Sequence, residues 1–216
     1  MITVSGMVGS GKSTAAHHIV ARLAAAGVPC EYVRFRFLSR GSVQRRARSR
    51  ASKAASGADR MTPRAAGFRM RRLTVSIACG YLARILLFRL FAARRSSPVC
   101  YVVDRYFYDS LVHYALRGWD EQLGLAVLRR AMPVPDLALL LTATPATILR
   151  RRPDYAPEYV AAATIGYTRL PTQFPHLVAI ATDGPQPDHA ALDDALQAFM
   201  RRWRYAGQPR SAAGTA

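Results

Sequence analysis

The sequence predicts an α/β protein built around a parallel sheet, and its N-terminal part carries most of the evidence. Residues 2–5 are a short apolar run that leads directly into a glycine-rich turn, and residues 13–26 follow with apolar side chains at helical spacing. Residues 32–37 alternate aromatic or aliphatic residues with arginine, which is the period of a half-buried strand. A strand, a turn, a helix and a second strand in this order form the unit from which parallel sheets are built.

The rest of the chain supplies three further strands. Residues 99–103, 137–141 and 177–181 are continuous apolar runs, a pattern typical of strands that are covered on both faces. Helices are predicted at residues 73–93, 109–117, 122–130, 155–170 and 188–205. The expected architecture is therefore a three-layer αβα sandwich with five parallel strands at its centre.

A single domain accounts for the 216 residues of the chain. We assign residues 1–206 to this domain and residues 207–216, which are mostly Gly, Pro, Ser and Ala, to a disordered tail. Residues 38–72 differ in composition, with ten arginines, one lysine and one acid between Arg40 and Arg72. Because few large apolar residues are present to anchor this segment, we expect a basic, mobile insertion or acceptor region.

The charge of the chain is strongly positive, with 31 basic residues against 13 acidic ones and a net charge of +18. Two of the basic residues are lysines, Lys12 and Lys53, and all the others are arginines. Arginine binds phosphates and carboxylates in a bidentate manner, although nucleotide bias in the source genome explains the excess equally well. Such a protein attracts nucleotides, nucleic acid and anionic membrane surfaces alike.

The cysteine pattern and the apolar segments indicate where in the cell the protein is expected. The chain has three widely spaced cysteines, Cys30, Cys79 and Cys100. This spacing indicates reduced thiols in a cytosol, and the N-terminus lacks a signal-peptide pattern. Residues 73–93 are the most apolar long stretch, but Arg84 and Arg89 interrupt them, which favours a buried helix with a basic edge over a spanning helix. We expect a cytoplasmic protein, with peripheral membrane association through this helix as the alternative.

Both tryptophans, Trp119 and Trp203, are expected to be packing residues.

The glycine-rich turn matches the phosphate-binding pattern GxxxxGK[ST] at every fixed position of residues 6–13. The backbone N–H groups of such a loop converge on a phosphate, and the following helix points its positive end at the same anion. Lys12 is predicted to bridge the β- and γ-phosphates of ATP, and the Ser13 hydroxyl to ligate Mg²⁺. The nucleotide-binding residues predicted here are Gly6, Gly9, Ser10, Gly11, Lys12, Ser13 and Thr14.

A second acidic element follows the strand predicted at residues 99–103. That strand ends in Asp104, and the carboxyl ends of parallel strands open on the same crevice. Asp104 is therefore expected to face the loop, where it either holds Mg²⁺ through water or accepts a proton from the phosphoryl acceptor.

The residues that follow resemble the thymidylate kinases. Residues 104–110, Asp-Arg-Tyr-Phe-Tyr-Asp-Ser, are similar to the DRY-x-x-x-S signature of that family. The resemblance implies the P-loop fold with strand order 2-3-1-4-5, the use of ATP and Mg²⁺, and a homodimer. It also implies that Asp104 serves the metal and the acceptor, and that Arg105 contacts the acceptor's phosphate. Asp109 and Ser110 are expected to cap the next helix.

Three consecutive arginines, residues 150–152, lie where the same family carries a short lid. Phosphoryl transfer needs positive charge on the migrating group, which a closing arginine pair supplies. Arg150 and Arg152, expected to share a helical face, are the catalytic candidates, and Arg151 is the candidate ATP contact. Solvated surface is the alternative interpretation.

The acceptor half departs from the family pattern. The acid that thymidylate kinases carry within the loop is replaced by Val8, and the acid after the third strand by Thr142. Arg36 is a loose match to the family's acceptor arginine. We therefore expect a kinase of a nucleotide or a related small acceptor. The alternatives are a nucleoside, sugar or lipid-linked acceptor, or a nucleotide-gated module that recruits nucleic acid or anionic membrane through residues 38–72.

Overall fold

A computed structural model of the chain describes residues 1–34, 75–93, 99–113, 118–184 and 189–207. The predictions made above for Arg36, for residues 38–72 and for the tail beyond residue 207 lie outside the described residues.

Five parallel strands form the centre of the fold. They are β1 (Ile2–Gly6), β2 (Cys30–Arg34), β3 (Cys100–Asp104), β4 (Leu137–Thr142) and β5 (Leu177–Ala181). Their order in the sheet is β2-β3-β1-β4-β5, which confirms the predicted fold class and strand order. The central strand β1 pairs with β3 on one side and β4 on the other, so that Val4 lies opposite Asp104 and Gly6 opposite Leu141.

Eight helices connect or flank the described strands. They are α1 (Lys12–Ala25), α2 (Val75–Ala93), α3 (Phe107–Leu111), α4 (Trp119–Ala131), α5 (Pro145–Arg151), α6 (Pro157–Thr168), α7 (Leu170–Gln173) and α8 (His189–Gly207). The long helices agree with the sequence prediction within a few residues. The short helix α5 was not predicted, and β2 begins two residues earlier than expected.

Helices cover both faces of the sheet. On one face, Ile19 and Leu23 of α1 and Leu192 and Phe199 of α8 pack on the apolar side chains of the central strands. On the other face, α2, α3 and α4 form a second core that includes the aromatic run at residues 106–108. Burial on both faces explains why strands such as β4 are continuous apolar runs rather than alternating ones.

The helix predicted at residues 73–93 packs only one of its faces. Tyr81, Ile85 and Phe88 of α2 are buried, whereas Leu86 and Leu87 point outward. No helix in the described parts of the chain is long and apolar enough to cross a membrane.

The two tryptophans differ. Trp203 is half-buried and lies against Phe199, as expected for a packing residue. Trp119, at the start of α4, is 79% exposed, so the prediction that it packs in the core was wrong.

Candidate functional site

The glycine-rich loop, residues 6–13, connects β1 to α1 at the carboxyl edge of the sheet. Gly6, Gly9 and Gly11 adopt φ angles of 144°, 88° and 83°, a region that L side chains rarely occupy. A Cβ at Gly6 would overlap the carbonyl oxygen of Leu141 on β4 and lie 2.8 Å from Ser10 Oγ. The close packing of the loop on the sheet therefore requires glycine at this position.

Lys12 lies inside the loop rather than in solvent. It is 7% exposed, and its Nζ donates a hydrogen bond to the carbonyl oxygen of Met7. The same oxygen accepts hydrogen bonds from the backbone N–H of Ser10 at 3.1 Å and from Ser10 Oγ at 2.8 Å. These contacts close the loop around the lysine.

The pKa of Lys12 reflects its burial and the charges around it. Burial lowers the pKa of Lys12 from 10.5 to about 8. Asp109 and Asp104 oppose this shift in the pKa, and Arg105 and Arg34 add to it. A phosphate bound in the loop would favour the charged lysine, because an opposite charge at short range raises the pKa of an amine.

Asp104 occupies the position predicted for it, at the end of β3 and opposite the loop. It is 1% exposed, and its Oδ2 accepts hydrogen bonds from Ser13 Oγ and Tyr32 OH, each at 2.9 Å. Arg34 Nε lies 3.8 Å from the same oxygen. The other oxygen, Oδ1, is buried and has no hydrogen-bond partner among the described residues. A buried carboxylate oxygen without a partner is costly, which marks it as a ligand-facing atom.

Strand β2 contributes two side chains that the sequence analysis did not assign to the site. Arg34 pairs in register with Asp104. Tyr32 lies two residues earlier in the strand, so its side chain is on the same face of the sheet. Burial and the hydrogen bond to Asp104 raise the pKa of Tyr32, so its hydroxyl stays a donor. The ring of Tyr32 also stacks on His17 of α1, with centroids 4.8 Å apart. The alternation of side chains in β2 was visible in the sequence. Only the register of β2 on β3 shows that Tyr32 and Arg34 face Asp104.

Arg105 follows Asp104 with a φ of 71°, in the left-handed region, and it is the one non-glycine residue in the described chain with a positive φ. This conformation costs a side-chain-bearing residue on the order of 1–3 kcal/mol and is concentrated at functional sites. The backbone N–H of Arg105 donates to the Val4 carbonyl at 3.1 Å, which fixes the turn. The side chain is half-buried and close enough to Lys12 to lower the pKa of that amine.

Asp109 does more than cap a helix. Its Oδ2 accepts from the backbone N–H of Tyr106 at 3.1 Å, which is the capping contact of α3. Its Oδ1 accepts from the backbone N–H of Gly6 at 3.0 Å and from Tyr167 OH at 2.9 Å. The helix therefore starts at Phe107 rather than at Asp109, and the carboxylate joins the first residue of the loop to α3 and α6.

The three arginines predicted to form a lid, residues 150–152, take three different positions. Arg151 donates to the carbonyl oxygens of Gly9 at 3.2 Å, Thr182 at 2.6 Å and Gly184, and so links the loop to the end of β5. Arg152 lies beyond the end of α5 and makes a bidentate contact with Asp154 at 3.0 and 3.1 Å.

Arg150 is in the last turn of α5 and is exposed. The expected shared face of Arg150 and Arg152 is therefore not observed, because α5 ends between them. A Cβ added at Gly9 would lie 3.2 Å from Cγ of Arg152, so the aliphatic part of that side chain lies against the loop.

The start of α5 sets these positions. Thr144 is the N-cap, its Oγ1 accepts from the N–H of Thr147 at 3.3 Å, and Pro145 occupies the first turn. Asp183, after β5, accepts from the backbone N–H of Thr144 at 2.6 Å. That hydrogen bond lowers the pKa of Asp183. Both ends of α5 are thus tied to the segment that follows β5.

The residues present fit a magnesium–nucleotide complex. The Ser13 hydroxyl and the Asp104 carboxylate are hard oxygen donors of the kind that Mg²⁺ prefers, and Oδ1 of Asp104 is free to accept a contact. The side chains of Ser13 and Thr14 are exposed at the start of α1, where the helix presents its positive end. Within the described ranges, no group of three or more His, Cys, Asp or Glu side chains is placed to hold a metal ion.

The strand order and the loop at the start of α1 define an α/β protein with the P-loop kinase-like fold. No protein-family model matches the chain, and no curated protein matches it. Among solved structures, it is similar to a thymidylate kinase from Ehrlichia chaffeensis, with 15% sequence identity and a TM-score of 0.46. That similarity covers 94% of this chain and 97% of the other.

Proposed function

We propose that this protein is an ATP-dependent phosphotransferase that moves the γ-phosphoryl group of ATP to a nucleoside monophosphate or a related small acceptor. The observation that carries the proposal is the 2.9 Å hydrogen bond from Ser13 Oγ to Oδ2 of Asp104. It joins the loop residue and the strand-end carboxylate that P-loop enzymes use together at Mg²⁺. A loop that served only as a turn would not need this carboxylate buried beside it.

The donor side of the proposed site is the loop and the lid. Bound Mg²⁺·ATP supplies the transferable phosphoryl group and the metal charge that neutralises it. Lys12 binds phosphate oxygens through its ammonium, and Ser13 and Asp104 are the residues that would hold the metal. Arg151, which contacts Gly9 and the carbonyls after β5, is proposed to fix the nucleotide side of the lid.

The acceptor side is proposed to lie at the carboxyl ends of β2 and β3. Arg34 lies beside the Asp104 carboxylate and Arg105 is close enough to Lys12 to lower the pKa of that amine, and two positive charges here suit an acceptor that carries a phosphate of its own. Tyr32 and Arg34 hold Oδ2 of Asp104, so Oδ1 is left to accept a hydrogen bond from the acceptor or from a water on the metal. Arg150 and Arg152 are proposed to add positive charge over the migrating group when the lid closes.

The test is ADP production from Mg²⁺·ATP across a panel of acceptors: dTMP, dUMP, other nucleoside monophosphates, nucleosides, sugars and a polyprenol. Lys12→Ala serves as the blank, and Arg202→Ala, an exposed position on α8, is the matched surface control. We expect one class of monophosphate to stimulate turnover in the wild type and the control, and none to do so in the blank. If ATP binds but no acceptor stimulates ADP production, the proposal is wrong.

A further inference from the structure

A set of large apolar side chains is exposed on the outer surface of two neighbouring helices. Each is between 46% and 79% exposed. We call this surface the α2–α4 face, and it consists of Leu86, Leu87 and Leu90 on α2 and Trp119, Leu123 and Val127 on α4. Single exposed apolar residues are common, but a set of this size indicates an interaction surface.

The six side chains point in the same direction, away from the sheet. Ile85 of α2 and Leu125 and Leu128 of α4 enter the same core on one side of the sheet, so the opposite faces of both helices look outward. Arg89 Nη1 donates to the Ala131 carbonyl at 3.5 Å, which places the C-terminal ends of the helices side by side. The exposed leucines of α2 therefore lie beside the last turn of α4, and the exposed apolar side chains of α4 continue the surface towards the start of that helix.

The charges around this surface are predominantly positive. The sequence of α2 contains two arginines and no acid, and α4 carries Arg129 and Arg130 in its last turn. Of the two acids in the first turn of α4, Glu121 is buried and accepts from the backbone N–H of Gly118 at 3.1 Å, which leaves Asp120 as the one exposed acid. Apolar side chains beside arginines, with a tryptophan at one end, match the composition of surfaces that lie in the interface of a bilayer.

We propose that the α2–α4 face docks on an anionic lipid surface, with the leucines and Trp119 inserted among the acyl chains and the arginines on the lipid headgroups. Charge complementarity favours this occupant over a second copy of the chain. A second copy would present the same excess of arginine on its own α2 and α4, where Asp120 is the one exposed acid, whereas an anionic lipid surface offers negative charge throughout. The inference is independent of the proposed catalytic function.

Trp119 is itself the reporter for the experiment. The chain has two tryptophans, so Trp203→Phe leaves the emission to Trp119 alone. Vesicles of phosphatidylcholine with 30 mol% phosphatidylglycerol are added to this full-length variant, with pure phosphatidylcholine vesicles as the comparison. We expect a blue shift of the emission, and its quenching by brominated acyl chains, only with the anionic vesicles. Emission that is unchanged while the protein sediments with the vesicles would overturn the proposal, because binding would then use other arginines.

Matched variants identify the surface. Leu86→Ser with Leu90→Ser removes two apolar contacts, and Ile165→Ser, a residue of α6 that is 54% exposed, is the apolar control. Arg130→Gln is compared with Arg201→Gln, an exposed arginine of α8 on the opposite side of the sheet. We expect the double serine variant to lower vesicle partitioning by at least about tenfold, since each buried methylene contributes about 0.8 kcal/mol.

Arg130→Gln should weaken binding more than Arg201→Gln does, and the two controls should resemble the wild type. Equal loss in test and control variants would overturn the proposal. So would a dimer in sedimentation equilibrium that the double serine variant dissociates, because a second copy would then occupy the face.

Discussion

Oδ2 of Asp104 accepts a hydrogen bond from Ser13 Oγ at 2.9 Å, although 91 positions separate the two residues in the sequence. The contact exists because β1 and β3 are neighbours in the sheet and both end at the same edge. It brings the first turn of α1 to the carboxylate that follows β3. The proposed reaction depends on this pair, since one residue supplies a neutral oxygen ligand and the other a charged one.

The first prediction tests the charge of Asp104. Asp104→Asn keeps the shape of the side chain and removes its charge, so we expect phosphoryl transfer to fall by at least about 100-fold, a typical loss for one preorganised electrostatic contact. ATP binding measured calorimetrically without Mg²⁺ should be retained. Asp193→Asn, which removes a carboxylate of α8 paired with His18, is the control and should change turnover less than about twofold. Equal activity of the two variants would contradict the assignment.

The second prediction concerns the buried ammonium of Lys12. The unfolded chain keeps this proton up to a pKa of 10.5, whereas burial makes the folded chain release it near pH 8. Below pH 8 the buried charge therefore destabilises the fold, and the penalty is relieved as the pH rises from 8 to 10.5. Lys12→Met should be more stable than the wild type at pH 7 by roughly 2 kcal/mol, after allowing for the lost hydrogen bond to Met7.

The measurement is urea denaturation of the unliganded protein at pH 7 and pH 9.5. The stability advantage of Lys12→Met should shrink towards zero at the higher pH. Arg202→Met, at an exposed position of α8, serves as the control whose difference from wild type should not depend on pH. An advantage that is the same at both pH values would show that the charge of Lys12 is not the cause.

The sequence was sufficient for the parts of the site that follow one another along the chain. The spacing GxxxxGK[ST] predicted the loop, and an apolar run ending in Asp104 predicted a carboxylate at the same edge of the sheet. Periodicity and strand ends are local properties, so one sequence reveals them.

The contacts between distant segments could not be predicted in the same way. Tyr32 and Arg34 reach Asp104 through the register of β2 on β3, which their own alternation does not specify. Arg151, rather than Arg150 or Arg152, reaches Gly9 because Thr144 and Pro145 set where the short helix α5 begins. A shift of one residue in that start would turn another arginine towards the loop.

The third prediction distinguishes the effect of the Arg105 guanidinium on acceptor binding from the effect of its left-handed backbone on stability. Arg105→Ala and Arg105→Gly both remove the guanidinium, so both should raise the acceptor KM much more than the ATP KM. Only glycine relieves the left-handed φ of 71°, so the glycine variant should be more stable than the alanine variant by about 1 kcal/mol. Thermal unfolding measures the difference in stability, and two-substrate kinetics on the same preparations measure the two KM values. Equal effects on the two KM values would move Arg105 out of the acceptor site.

The fourth prediction concerns Arg151, whose guanidinium joins the loop to the segment after β5 through the carbonyls of Gly9 and Thr182. Arg151→Lys keeps the charge, but a lysine ammonium cannot reproduce the planar set of donors of the guanidinium. At least one carbonyl therefore loses its hydrogen-bond donor. If the charge alone mattered, the lysine variant would behave like the wild type.

Because a hydrogen bond from a charged donor contributes about 1.5–3 kcal/mol, we expect the ATP KM of Arg151→Lys to rise by roughly tenfold or more, with the acceptor KM little changed. Initial rates at saturating acceptor provide the measurement, and Arg202→Lys, at an exposed position of α8, is the control. A rise confined to Arg151→Lys would support the nucleotide-side role, whereas identical behaviour of the two variants would refute it.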